Sequence, residues 1–148
     1  MQAETGVTPP VDSSQYDQTY FLTSCEGYTE FISSEGENLS RRLKQAFDVA
    51  DIAPGMWVLD IGSGRGEIMQ HCANLGARTL GIDYSSAAIH MSSQLAATQD
   101  GKLTQQLAVF QADAKCVPFV DGLFDRVLMF DIVEHLHAWE LDRAIAEA

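Results

Sequence analysis

The spacing of apolar residues changes character near residue 56 of this 148-residue chain. Beyond that point short apolar runs alternate with amphipathic stretches. "MWVLDIG" is almost continuously apolar, the pattern of a strand covered on both faces. "EIMQHCANLG" follows with Ile68, Cys72 and Leu75 spaced along one helical face and Gly76 as its C-cap. "RTLGID" predicts a second strand, and "SSAAIHMSSQLAA" a second helix opened by Ser85 or Ser86. "LAVFQAD" and "FDRVLMFDIV" predict strands three and four, separated by Pro118 and Asp121-Gly122, and Trp139 to Ala148 reads as helix. Strand and helix alternating in this way predict an α/β fold with a doubly wound parallel sheet.

Upstream of residue 56 the rhythm is different. Residues 1–15, with Pro9-Pro10 and Ser13-Ser14, read as a flexible leader. "YDQTYFLTSCEGYTEFI" concentrates aromatic residues without a core period. A helix is predicted from about Glu35 to Ala50. Ser34 and Glu37 have the spacing of a capping box, and Leu39, Leu43, Phe47 and Ala50 share one face. Pro54-Gly55 then marks a turn. The expected organisation is a leader and aromatic segment over residues 1–34, then one core domain over 35–148.

Between the first strand and its helix stand Gly62, Gly64 and Gly66, in "GSGRGE". Glycines at this density mean that the backbone turns sharply or that something approaches it closely. In doubly wound sheets such a loop cradles a ligand; the alternative is a tight turn with nothing bound. A dinucleotide fingerprint would place its third glycine where Glu67 stands, and a carboxylate in the first helical turn opposes a pyrophosphate there. Acids also close each predicted strand: Asp60, Asp83, Asp113 and Asp131. One Asp after a strand is commonly a cap or turn residue. Four at equivalent ends would line a single edge, and they suit a ligand with amino, hydroxyl and adenine amino donors and a net positive charge.

Charge narrows the classes of partner. The net charge is −12, from 21 acids and 9 bases. That field repels nucleic acid and anionic lipid unless a basic patch overcomes it. The densest basic cluster, Arg41, Arg42 and Lys44, falls on a helix face expected to be solvated, so neither nucleic acid nor membrane is an expected partner. Cys25, Cys72 and Cys116 are widely spaced, odd in number and form no CxxC. They read as small buried hydrophobes in a reducing, cytoplasmic setting, and no signal peptide or membrane-length apolar run is present. His135 and His137, two positions apart, face different sides of a helix and have no neighbouring Cys, so no metal site is expected. His71 and His90 fall within predicted helices and read as structural.

From Met56 to Ala148 the chain resembles the class I S-adenosylmethionine-dependent methyltransferases of small-molecule type. "VLDIGSGRGEI" looks like the family's first motif and "LGIDYS" like its ribose-binding loop. "FQADAKCVPF" matches its adenine-binding segment and "FDRVLMFDIVEHL" its fourth strand and following turn. The resemblance implies a Rossmann-like sheet of order 3-2-1-4, a bound S-adenosylmethionine with S-adenosylhomocysteine as product, and methyl transfer to a small-molecule acceptor. It implies that Asp60, Gly62, Ser63 and Gly64 border the methionine portion of the donor, and that Asp83 accepts from the ribose hydroxyls with Tyr84 packing near the adenine. Asp113 and the Ala114 amide would meet the adenine edge, and Phe130 and Asp131 the sulfonium end. His135 is the candidate general base where the acceptor holds a proton; orienting a loop or contacting the donor are its alternatives. Tyr16, Tyr20, Phe21, Tyr28 and Phe31 would form an N-terminal lid, or else cover a sheet edge or helix.

Family members continue through three further strands. The core is therefore expected to be incomplete at its C-terminus, with an open edge on strand four that pairs with another chain as a homodimer or by strand exchange. Two other readings remain at this point. One is a degenerate cofactor-binding or interaction module without turnover. The other is an NAD or nucleotide-sugar enzyme, against which Glu67 and Asp113 stand.

Overall fold

A computed structural model describes residues 8–98 and 105–148. Four parallel strands make one sheet: β1 (Trp57–Ile61), β2 (Arg78–Asp83), β3 (Leu107–Gln111) and β4 (Arg126–Leu128). Their spatial order is β3-β2-β1-β4, as the sequence predicts. Among the described residues the helices are α1 (Gln18–Thr23), α2 (Tyr28–Ser34), α3 (Arg41–Val49), α4 (Glu67–Asn74), α5 (Ser86–Thr98) and α6 (Ala138–Glu147). Short 3-10 turns cover Ser13–Gln15 and Val133–His135.

β1 is central, and its apolar run follows from that position. Leu59 pairs with Leu80 on one side and Val127 on the other. Val58 packs into a cluster with Leu43, Phe47, Ile68 and Cys72. Leu59 and Ile61 pack into a second cluster with Ile82 and Ala144. Successive strand residues point to opposite faces, so a strand with helices on both sides must be apolar at nearly every position. Each such fully buried side chain contributes roughly 1.5–3 kcal/mol.

The helix predicted over 35–50 is realised as α3 with a later start, and a separate helix, α2, ends where it was expected to begin. Glu35 and Gly36 are left-handed, with φ of 52° and 82°, and they end α2. Ser34 caps no helix start; its hydroxyl donates to the Glu30 carbonyl and accepts from the Asn38 amide. Ser40 is the N-cap, accepting from Leu43 N at 3.3 Å, and α3 begins six residues later than predicted. Its buried face, Leu43 and Phe47, is the predicted one.

Three smaller differences bear on the site. β4 has only three residues and leaves the sheet before Asp131, which sits at φ 57°. The first seven positions of the expected leader lie outside the described residues. In the rest of it Asp12 caps the 3-10 turn and the Trp139 indole donates to the Thr8 carbonyl. Of the cysteines only Cys72 is buried; Cys25 is half-buried, and Cys116, at the end of a turn closed on the Asp113 carbonyl, is exposed. No helix among the described residues is long and apolar enough to cross a membrane.

Candidate functional site

Parallel pairing brings the carboxyl ends of all four strands to one edge, and the glycine loop lies across it. The Gly62 and Ser63 amides both donate to the Ile82 carbonyl, at 2.8 and 3.0 Å, which anchors the loop to the end of β2. Gly64 N donates to Asp83 Oδ2 at 3.0 Å, and Asp83 Oδ1 accepts from Ser85 N at 2.9 Å. Asp83 thus fastens the loop to the start of α5. Gly66 opens α4 at φ 90°, and a Cβ there would lie 3.0 Å from Ser92 Cβ on α5, so backbone conformation and helix contact together favour glycine without any ligand. A Cβ on Gly62 would meet Ile132 Cδ1 at 2.9 Å. Gly64 is the least crowded of the three, with Phe21 nearest at 3.5 Å.

One cavity collects every residue singled out from the sequence as a binding or catalytic candidate. Asp60, Gly62, Ser63, Gly64, Asp83, Tyr84, Asp113, Ala114, Phe130, Asp131 and His135 all line it. His71, His90 and His137 do not; His137 caps α6, in a box with Glu140. From the N-terminal segment Tyr16, Tyr20, Phe21 and Glu26 close the cavity on a further side, whereas Tyr28 and Phe31 stand away from it. Lys115 and Glu140 also line it, and nothing in the sequence pattern singled them out. The one signal for Glu140 was its position three residues after His137, a capping-box spacing with His in place of Ser or Thr.

The four strand-end acids differ in what they already hold. Asp83 accepts two backbone amides. Asp113 pairs with Lys115 Nζ at 2.9 Å, and Lys115 also reaches Glu140 at 3.0 Å. Asp131 pairs with Arg42 Nη2 at 2.5 Å, and Arg42 Nε holds Glu26 at 2.8 Å. Arg42 and Lys44, which is bound to Asp48, therefore form no free basic patch. Asp60 is 2% exposed, and among the described residues no hydrogen-bond donor reaches its carboxyl. Burial, with Glu67 and Asp83 adding repulsion, pushes its pKa up to about 8. Ser63 Oγ, on the same cavity, is buried without a partner. A buried carboxyl and hydroxyl left unpaired beside aromatic walls fit a ligand that brings a cationic donor.

Glu67 needs a correction. The sequence sets its carboxylate against a pyrophosphate, but Arg65 Nη2 pairs with it at 2.5 Å and both groups are buried. Arg65 offsets much of its charge, although what remains still repels the Asp60 carboxylate, so Glu67 is a weaker argument against a phosphate than its position in the sequence suggests. The stronger argument is Asp60, whose carboxyl has no cation beside it among the described residues.

His135 ends the 3-10 turn after β4. Its Nε2 shares a hydrogen bond of 3.2 Å with the Tyr20 hydroxyl, and its ring stands edge-on to Tyr16 at 5.3 Å. Tyr16 also contacts Tyr20 and Tyr84, at 5.0 and 5.7 Å between ring centres. Burial pushes the Tyr20 phenol up to about 12, so it stays protonated at neutral pH.

Comparison with known proteins adds to this geometry. The family described as methyltransferase domain matches residues 58–148. The sterol methyltransferase-like 3 protein of Botryococcus braunii is 35% identical over 101 residues, which cover 68% of this chain and 25% of that one. The demethylmenaquinone methyltransferase of Thermobifida fusca is 29% identical over 97 residues, 66% of this chain and 39% of that one. The crystal structure of the [4+2]-cyclase SpnF superposes with a TM-score of 0.65 at 24% identity, covering 94% of this chain and 56% of that one, a likeness of fold. The chain thus spans 25% to 56% of the length of these three proteins.

Proposed function

The chain belongs to the methyltransferase-domain family, and from that premise we propose that its cavity takes S-adenosylmethionine and that the whole protein methylates a small-molecule acceptor. The observation that carries this reading is Asp60, a buried carboxyl, beside a glycine loop, that no donor reaches among the described residues. When bound, the donor supplies a methyl carbon on a positively charged sulfur, already activated for in-line displacement. Asp60, on losing its proton, would hold the donor's ammonium group, and Ser63 Oγ would gain the partner it lacks. The remaining lone pairs of Asp83 would accept from ribose hydroxyls while its amide bonds keep the loop in place. Asp113 and the Ala114 amide would face the adenine edge, with Tyr84 along its ring.

At the other end Phe130, Asp131 and His135 border the space left for the acceptor. His135 would take the proton of a hydroxyl acceptor, oriented for it by the Tyr20 hydroxyl. The two relatives are named for methylation of a sterol and of demethylmenaquinone, which supports a small organic acceptor. The net charge of −12 argues against nucleic acid. Three free thiols agree with a reducing, cytoplasmic setting.

Isothermal titration with S-adenosylhomocysteine tests the reading. Saturable binding of one equivalent is expected. A folded protein that gives no binding heat at millimolar ligand sinks it.

A further inference from the structure

Arg65 sits in the middle of the glycine loop, yet its side chain is 2% exposed and the chemistry above does not use it. Each of its three guanidinium nitrogens is nevertheless engaged. Nε donates to both Glu67 oxygens, at 3.1 and 3.3 Å, and Nη2 donates to Glu67 Oε1. Nη2 also reaches the Glu26 carbonyl at 2.7 Å, and Nη1 the Phe21 carbonyl at 3.1 Å. The Phe31 ring lies 4.9 Å from Cζ. One guanidinium therefore touches α1, the corner between α1 and α2, α2 itself and the first residue of α4.

The acceptors explain why the residue is Arg. Phe21 lies in the last turn of α1, where helical carbonyls lack intrahelical partners. The Glu26 carbonyl precedes Gly27, the left-handed N-cap of α2. A planar fork of donors reaches both carbonyls and a carboxylate at once, which an ammonium cannot do. Glu67 offsets the burial of the charge. The Phe21 ring lies beside Gly64, 3.5 Å from where a Cβ would stand.

We propose that Arg65 is a positioning residue that ties the N-terminal cover, residues 18–34, to the glycine loop, so that the order of the cover and the shape of the loop are set together. Ser85 Oγ on the Tyr16 carbonyl and Tyr20 on His135 are further ties across the cavity, but neither is rooted in the loop. The order of the cover thereby reports the state of the loop.

Hydrogen exchange by mass spectrometry on the whole chain, without ligand, tests the tie. Arg65→Met combined with Glu67→Gln removes both charges and strands neither. In that variant amide exchange over 18–34 and 62–66 rises by about tenfold or more, the factor of one lost charge-assisted hydrogen bond. β1 and β2 keep their wild-type protection. Arg65→Lys, which keeps the charge beside Glu67 but loses the fork, gives a smaller rise in the same segments and serves where the double variant fails to fold. Cover amides that exchange at wild-type rates in the double variant, or a rise shared equally by β1 and β2, overturn the proposal. A second readout rests on the cofactor reading: Arg65→Lys speeds dissociation of S-adenosylhomocysteine by about tenfold and leaves association nearly unchanged. A wild-type chain that binds none refutes that reading and leaves the exchange result to judge Arg65. Binding with an unaltered dissociation rate in the variant counts against the tie itself.

Discussion

Asp60 shows how far a single residue can be read from its position and where its environment takes over. Its place at the end of an apolar run is visible in the sequence; its lack of any partner is not, because that depends on what the other three acids have already bound. Arg42 holds Asp131 and the Gly64 amide holds Asp83 from far along the chain, whereas Lys115 and the Ser85 amide reach Asp113 and Asp83 from two residues away. With a native pKa pushed up to about 8 from 3.8, Asp60 holds a proton that the unfolded chain has released across that interval. Its contribution to stability is complete below about pH 4 and is lost as pH rises through about 8. Thermal melts from pH 5 to 9 should therefore show a downward slope that Asp60→Asn flattens. Binding of a cationic amino acid adds a second consequence. At pH 7 the carboxyl must ionise on binding, so titrations in buffers of different ionisation enthalpy should report release of close to one proton. An Asp60→Asn variant that releases as much would contradict this assignment.

At the scale of elements, the strands and the helices that follow them were legible because burial on two faces forces a continuous apolar run and the sharp left-handed turn after β1 takes glycine. Of the N-terminal helices only the buried face of α3 was legible and not its start, and Ser34 and Ser40 show why. "SSEGE" has capping-box letters, but Gly36 accepts the left-handed geometry that ends α2, and Glu35 follows it there. "LSRRL" has no acid three residues after its serine, yet Ser40 Oγ receives the Leu43 amide and anchors to Glu26. The letters of a cap are local, whereas the choice between two serines was made by packing of Leu43 and Phe47 on the sheet. Ser40→Ala should therefore destabilise the protein by about 1 kcal/mol, and Ser34→Ala by about 0.5 kcal/mol or less. Urea denaturation separates the two, and equal losses would mean that the capping assignment is wrong. The cover was legible only as a cluster of aromatics. Its placement depends on Arg65, whose role no spacing rule announces.

For the molecule as a whole, two features oppose each other. The net charge of −12 makes any two copies repel. β4 pairs only with β1, so among the described residues its other edge has no strand beside it. An unpaired edge is a template for another chain, and the three residues of β4 give it little length with which to overcome the charge. Salt separates the two effects. The Debye length falls from about 30 Å at 0.01 M to about 10 Å at 0.1 M, which screens repulsion between molecules and leaves backbone hydrogen bonds untouched. Association as a homodimer is therefore expected to strengthen as salt rises, the reverse of what surface ion pairs would give. Sedimentation velocity over a salt and protein concentration series distinguishes the outcomes. A monomer under every condition would mean that the edge is too short or too shielded to pair. A dimer that dissociates with added salt would locate the contact at opposite charges rather than at β4.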